Sequence, residues 1–220
     1  MLLSMNVIEL FSSIDGEGKR QGFLTTFLRL HDCNIRCSYC DTLYSYGPES
    51  TFESMSVQAV ADVIEQLENY RITVTGGEPL LQEPAIIELI DELTRRNARY
   101  DFNIETNGTI IPSFHRDNVW FTYDYKTPSS LAEDAMNLDI FKVATPADII
   151  KFVVGSMQDL DRMNEILKTY PTDAQIFVSP VWGTIEGATI IEYMKAHNWQ
   201  NVRFQLQIHK FIWDPDAKGV

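Results

Sequence analysis

Residues 24–42 read Leu24-Thr25-Thr26-Phe27-Leu28-Arg29-Leu30-His31-Asp32-Cys33-Asn34-Ile35-Arg36-Cys37-Ser38-Tyr39-Cys40-Asp41-Thr42. The first seven are β-branched, aromatic and aliphatic, and predict a strand that ends just before the cysteines. The cysteines then follow with the spacing C-x3-C-x2-C. They are the only three in 220 residues, an odd and crowded set that makes a poor disulfide framework and reads first as a metal or redox site. Three thiolates on one short loop can hold three irons of a four-iron cluster and leave the fourth open to another ligand. From the loop alone a structural zinc also stays open. Zinc, however, takes four protein ligands, usually as two separated pairs; no second pair exists, and His31 is too near in sequence to be an obvious fourth.

Outward from this loop, β-rich runs alternate with amphipathic helices. A polar loop is expected over about 43–54, then a helix with Val57, Val60, Ala61, Ile64 and Leu67 on one face. RITVT at 71–75 predicts a strand running into Gly76-Gly77, and Ile86, Leu89, Ile90 and Leu93 mark the next helix. Further strands are expected at 100–106, 119–123, 149–154, 175–179 and 202–207, with helices at 157–170 and 186–197. Repeated strand–helix units imply α/β architecture with a parallel sheet and helices packed outside it. The units are too few for a closed eightfold barrel, so the expectation is an incomplete, open parallel β/α barrel with its site at the C-terminal strand ends. The cysteines, Thr75-Gly76-Gly77-Glu78, Glu105-Thr106-Asn107-Gly108 and Asp124-Tyr125-Lys126 all fall at such ends. The length suits one domain over 1–220, and no repeat or linker divides it.

The net charge of −13 repels polyphosphate backbones and argues against nucleic-acid binding. No run of eighteen apolar residues suggests a membrane span. The start MLLSMNVIEL has neither a basic leader nor a small-residue cleavage site, so cytoplasmic residence is expected.

The cysteine loop, Gly76-Gly77-Glu78-Pro79 and Glu105-Thr106-Asn107-Gly108 resemble the radical S-adenosylmethionine (SAM) superfamily. Within it, Ile14-Asp15-Gly16-Glu17-Gly18, Phe27-Leu28-Arg29, Cys40-Asp41-Thr42, Asp124-Tyr125-Lys126 and Leu206-Gln207-Ile208-His209-Lys210 resemble the 7-carboxy-7-deazaguanine synthase family of queuosine (7-deazapurine) biosynthesis, over nearly the whole chain. The resemblance implies a lyase that contracts the ring of 6-carboxy-5,6,7,8-tetrahydropterin to 7-carboxy-7-deazaguanine with loss of ammonia. It implies a [4Fe-4S] cluster on Cys33, Cys37 and Cys40, SAM that is regenerated, Mg²⁺, a flavodoxin or ferredoxin as electron donor, and a homodimer. Because the radical is generated on SAM, no protein side chain is assigned as catalytic.

Site roles carry over by the same resemblance. SAM is expected at Tyr39, Asp41, Gly76, Gly77, Glu78, Glu105, Asn107, Asp124, Tyr125, Lys126, Ser179, Pro180, Val181 and Trp182. In this set the glycines allow close approach, Glu78 accepts from the methionine ammonium, and Glu105 and Asn107 hold the ribose. The family usually has Ser-Pro-Lys where this chain has Asp124-Tyr125-Lys126. Thr42 matches the Mg²⁺ ligand, with Asp41 behind it. The substrate is expected at Ile14, Asp15, Gly16, Glu17, Arg29, Thr75, His209 and Val220. Arg29 offers a planar fork to its carboxylate, and Asp15 stands where relatives commonly carry Gln. On local sequence alone, Gly76-Gly77 and Asn107-Gly108 also read as plain turns, Thr42 as a loop cap, and His209 as a structural histidine. Two rival readings are a glycyl-radical-enzyme activase, which shares the cysteine spacing, and a non-catalytic zinc-binding module.

Overall fold

The computed structural model describes residues 3–220. Strands β1 (Ser4–Ile14) and β2 (Leu24–Leu30) form an antiparallel pair, and β3 (Glu53–Ser56) lies antiparallel on the free side of β1. From β2 onward every pairing is parallel, through β4 (Arg71–Gly76), β5 (Asp101–Thr106), β6 (Val119–Lys126), β7 (Ile149–Val154), β8 (Gln175–Pro180) and β9 (Val202–Phe204). The order β3-β1-β2-β4-β5-β6-β7-β8-β9 leaves β3 and β9 as edges, so the barrel is open as expected. Helices α1 (Val57–Gln66), α2 (Glu83–Arg96), α4 (Met157–Thr169) and α5 (Gly187–Ala196) supply the crossovers and cover; α3 (Ile140–Val143) and α6 (His209–Ile212) are single turns. Ser56 and Ser156 cap α1 and α4 by accepting from the amides of Ala59 and Asp159.

Three expectations need correction. The sheet is not wholly parallel, because residues 15–23 are too few to hold a crossover helix and the chain returns as a hairpin. The 43–54 loop is not structureless: it contains a short helical turn at Leu43–Ser45 and enters β3 at Glu53. The last strand stops at Phe204, since the Gln205 side chain turns away to exchange two hydrogen bonds with the Gly18 backbone.

Period-two alternation divides the parallel strands into two faces. Ile72, Val74, Phe102, Ile104, Phe121, Tyr123, Ile150, Phe152 and Val178 belong to one apolar core with Ile64, Ile86, Leu89, Leu160, Met163 and Ile190 of the helices. Most alternate positions are polar, Thr73, Thr75, Asn103, Glu105, Thr122, Asp124, Lys151 and Ser179 among them, with Trp120, Ile149, Val153 and Phe177 as apolar exceptions. The barrel therefore has an apolar outer face and a polar lumen. No helix among the described residues is long and apolar enough to cross a membrane.

Candidate active site

The cysteine loop leaves β2 and is fastened at several points. Asp32, in the left-handed region at φ 79°, accepts the Cys33 amide on its carboxylate, and its carbonyl accepts the Glu78 amide. Arg36 donates to the carbonyls of Cys33 and Ile35 at 2.7 Å and lies 4.2 Å over the Tyr46 ring. Ser38 is held to the carbonyls of Ser129 and Ser130. A Cβ on Gly77 would lie 1.9 Å from the Asp32 carbonyl oxygen and 2.8 Å from Cys33 Cβ, so the loop seats on a surface that only glycine leaves free. The three thiols are unpaired, half-buried and border one cavity. Burial pushes the Cys33 thiol up and Cys37 to about 11, so binding iron at neutral pH would have to displace their protons to solvent. Among the described residues no three His, Cys, Asp or Glu side chains converge as ligands of one ion. The sulfurs fit a cluster better than a structural zinc.

The strand ends meet the same cavity. Gly76 and Gly77 line it, but Glu78 does not: it is fully buried and accepts from the Leu80 amide, the Thr106 hydroxyl and the Asn107 amide. Burial raises its pKa, against the pull of those donors. This carboxylate ties the end of β4 to the end of β5. Asn107 borders the cavity, yet its amide nitrogen faces Cys33 Sγ at 3.7 Å and Asn34 Oδ1 at 2.8 Å, and its oxygen accepts from Thr109. It braces the cysteine loop, and its expected ribose contact has no free donor here.

Asp124 and Lys126 face the lumen as an ion pair at 3.1 Å. Tyr125, between them, necessarily points the other way; its ring packs on Phe152 and Phe141 and its hydroxyl donates to Glu133. Strand alternation thus leaves Tyr125 only its backbone on the cavity side. Tyr39, Asp41, Val181 and Trp182 line the cavity, whereas Ser179 and Pro180 do not. Ser179 instead donates to Glu17 Oε1 from behind.

The residues expected at the substrate also gather here. Ile14, Asp15, Gly16, Glu17, Arg29, Thr75, His209 and Val220 all border the cavity, and Glu105, expected at the SAM ribose, borders it with them. Arg29 is aimed by Glu9, which accepts from its Nε at 2.6 Å and also from the Tyr44 hydroxyl, leaving the two terminal nitrogens free. Thr75 donates to Glu105. Burial raises the Glu105 pKa; Lys151 opposes the shift, while Asp15 and Glu17 add to it. A Cβ on Gly16 would strike His209 Nδ1 at 1.9 Å, and the Ile208 amide donates to the Gly16 carbonyl, so the tail docks tightly on this loop. Burial lowers the His209 pKa, which favours neutral imidazole. Thr42 donates to Asp41, whose other oxygen lies 3.1 Å from Lys210 of the tail.

Asp15 borders the cavity, and its side chain is tied into the wall. Its carboxylate turns inward to Arg20 at 3.1 Å and accepts from Thr25 and Thr73, all buried. Burial raises its pKa, and the Arg20 guanidinium and the hydroxyls pull it back. We expect Asp15→Ala to remove one of the two carboxylates paired with Arg20, Asp101 remaining, and to cost about 1–3 kcal/mol of stability, read as a lowered Tm.

Sequence reasoning missed Lys151. It lies in β7, 7% exposed, with its ammonium 3.1 Å from Glu17 and 3.6 Å from Asp124. The signal was present as one cation inside the otherwise apolar run Ile149-Ile150-Lys151-Phe152-Val153-Val154.

Comparison with known proteins adds an independent line. The family model described as Radical SAM superfamily matches residues 29–152. The 7-carboxy-7-deazaguanine synthase of Clostridium acetobutylicum is 37% identical over 223 residues, covering 99% of this chain and 100% of the relative. The enzyme of that name from Methanospirillum hungatei is 37% identical, covering 96% of this chain and 86% of its own, and that from Leptospira interrogans is 36% identical, covering 99% of each. The crystal structure of QueE from Escherichia coli superposes with a TM-score of 0.71 at 22% identity, over 92% of this chain and 93% of that one, and shares the fold.

Proposed function

The chain belongs to the 7-carboxy-7-deazaguanine synthase family of the radical SAM superfamily, and from that premise we propose how its residues divide the work. It is a radical SAM lyase that forms 7-carboxy-7-deazaguanine by ring contraction, with a [4Fe-4S] cluster and SAM as cofactors. The observation that carries the assignment of roles is one continuous cavity bordered both by the cysteine loop and by Arg29, Glu17 and the tail. The rival readings, an activase acting on a protein backbone and a zinc module, leave that lumen of Arg29, Glu17, Glu105 and His209 without a use.

When bound, the cluster and SAM would supply the radical chemistry that starts at C6 of the pterin. The chain's own residues bind, orient and shield. Cys33, Cys37 and Cys40 hold three irons, and the Gly76-Gly77 backbone admits the methionine end of SAM. Lys126, Asp124, Tyr39, Val181 and Trp182 border its adenosine side. Arg29 grips the pterin carboxylate with its two free nitrogens, and Glu17 and the Gly16 backbone take the donor edge of the ring. Thr75, His209 and Val220 enclose the substrate and keep water from the reacting carbon.

Mg²⁺ would be held at Thr42, with Asp41 in support and the rest of its ligands supplied by substrate and water. We expect Thr42→Ala to weaken the response of turnover to added Mg²⁺ by about 10-fold while SAM binding stays near parent level. A magnesium titration identical to the parent contradicts the ligand assignment. One domain spanning 1–220, a homodimer, a cytoplasmic setting and a flavodoxin- or ferredoxin-type donor complete the proposal. The test is turnover of 6-carboxy-5,6,7,8-tetrahydropterin by the anaerobically reduced holoenzyme, with and without Mg²⁺. Formation of the deazaguanine with release of ammonia is expected; SAM cleavage with no pterin consumption contradicts it.

A further inference from the structure

Lys151 has no role in the assignments above, yet it occupies the centre of the polar lumen. Parallel register sets it directly beside Asp124 of β6, and its ammonium reaches Glu17 Oε2 at 3.1 Å across the barrel mouth. Glu105 of β5, Lys126 and the neutral imidazole of His209 complete the ionisable groups around it. Burial alone would strip its charge; Glu17, Asp124 and Glu105 outweigh that and hold its pKa well above the ordinary value.

We propose that Lys151 is a positioning residue for substrate recognition, aiming the Glu17 carboxylate at the pterin's N–H edge. Glu17 is held from three sides: Lys151 Nζ and Gln207 Nε2 both reach Oε2, while the Ser179 hydroxyl donates to Oε1. Oε1 thus keeps one acceptor position for a ligand, whereas Oε2 is committed to the scaffold. Of the three donors only Lys151 carries charge, and it is buried on β7 with its ammonium against the Glu17 carboxylate. Asp124 depends on it less, because Lys126 lies nearer, at 3.1 Å against 3.6 Å. Loss of Lys151 therefore bears on the pterin end of the cavity more than on the SAM end. The inference rests on the reading of Glu17 as a pterin contact.

The test is equilibrium binding of the pterin and, separately, of SAM to the reconstituted holoenzyme. The proteins compared are the parent, Lys151→Met, Lys151→Arg, Glu17→Gln and the double variant Glu17→Gln/Lys151→Met. Lys151→Met should raise the pterin Kd roughly 30-fold or more and the SAM Kd by less than about threefold; Lys151→Arg should recover pterin binding to within about fivefold. Because Lys151 acts through Glu17, the double variant should bind pterin no more than about threefold worse than Glu17→Gln alone. That variant removes one charge of each sign and decides the matter if Lys151→Met fails to fold. Parent-like pterin binding by Lys151→Met, a double variant whose loss is the product of the two singles, or equal losses for pterin and SAM would each overturn the proposal. If Lys151→Met binds normally while Glu17→Gln is weak, the Glu17 reading survives and only the proposal falls; normal binding by Glu17→Gln defeats both.

Discussion

In a Cys33→Ala variant, anaerobic reconstitution is expected to give little bound iron, and SAM cleavage should fall by at least about 10³-fold, equivalent to about 4 kcal/mol of barrier. The reason is ligand count. Three thiolates hold three irons and free one corner for SAM; with two, the cluster loses an anchor and its geometry together. The loop itself should survive, because Arg36 donates to the carbonyls of residues 33 and 35 and not to a thiol, and Ser38 is anchored independently. Circular dichroism and Tm should therefore stay near the parent while the iron content collapses. Full SAM cleavage by this variant would refute the ligand assignment.

Gly77→Ala is expected to have the second-largest effect, and through sterics alone. The new methyl would sit 1.9 Å from the Asp32 carbonyl oxygen, a backbone atom that cannot swing aside as a side chain can. Either the cysteine loop or the end of β4 must move. The first choice breaks the hydrogen bond that the Glu78 amide donates to the Asp32 carbonyl at 2.7 Å, and the second disturbs the buried Glu78 that joins β4 to β5. We expect a cost of about 3 kcal/mol and a cluster occupancy about 10-fold lower. Measured iron per protein and the guanidinium midpoint should fall together. Were iron content parent-like in Gly77→Ala, the loop would not be seated on the glycine pair.

Much of this was legible before any coordinates. The run LTTFLRL became β2 over Leu24–Leu30, and the stripe from Val57 to Ile64 became a buried helix face, because in both cases burial on one side is written as periodicity. The cysteine loop announced its chemistry because thiols at that spacing have few other uses. What stayed hidden depended on side-chain direction or on distant partners. Tyr125 sat in a motif, but strand alternation turned it to the core. The buried ties of Glu78 were hidden because sequence cannot show three backbone and hydroxyl donors arriving from 80, 106 and 107. Asp15 sat beside Glu17 in the same short motif, yet one points to Arg20 inside the wall and the other into the lumen. Lys151 was overlooked because a lone cation in an apolar strand gains meaning only when its three carboxylate neighbours, drawn from three other segments, are known.

The central claim is that Cys33, Cys37 and Cys40 carry an open-cornered cluster that SAM completes. It is tested most directly by electron paramagnetic resonance of the anaerobically reconstituted, reduced protein with and without SAM. We expect a brown protein with near four irons, whose reduced-cluster signal shifts when SAM is added and stays put when methionine-free buffer is added. A colourless protein that retains one zinc, or a cluster signal indifferent to SAM, would contradict the account.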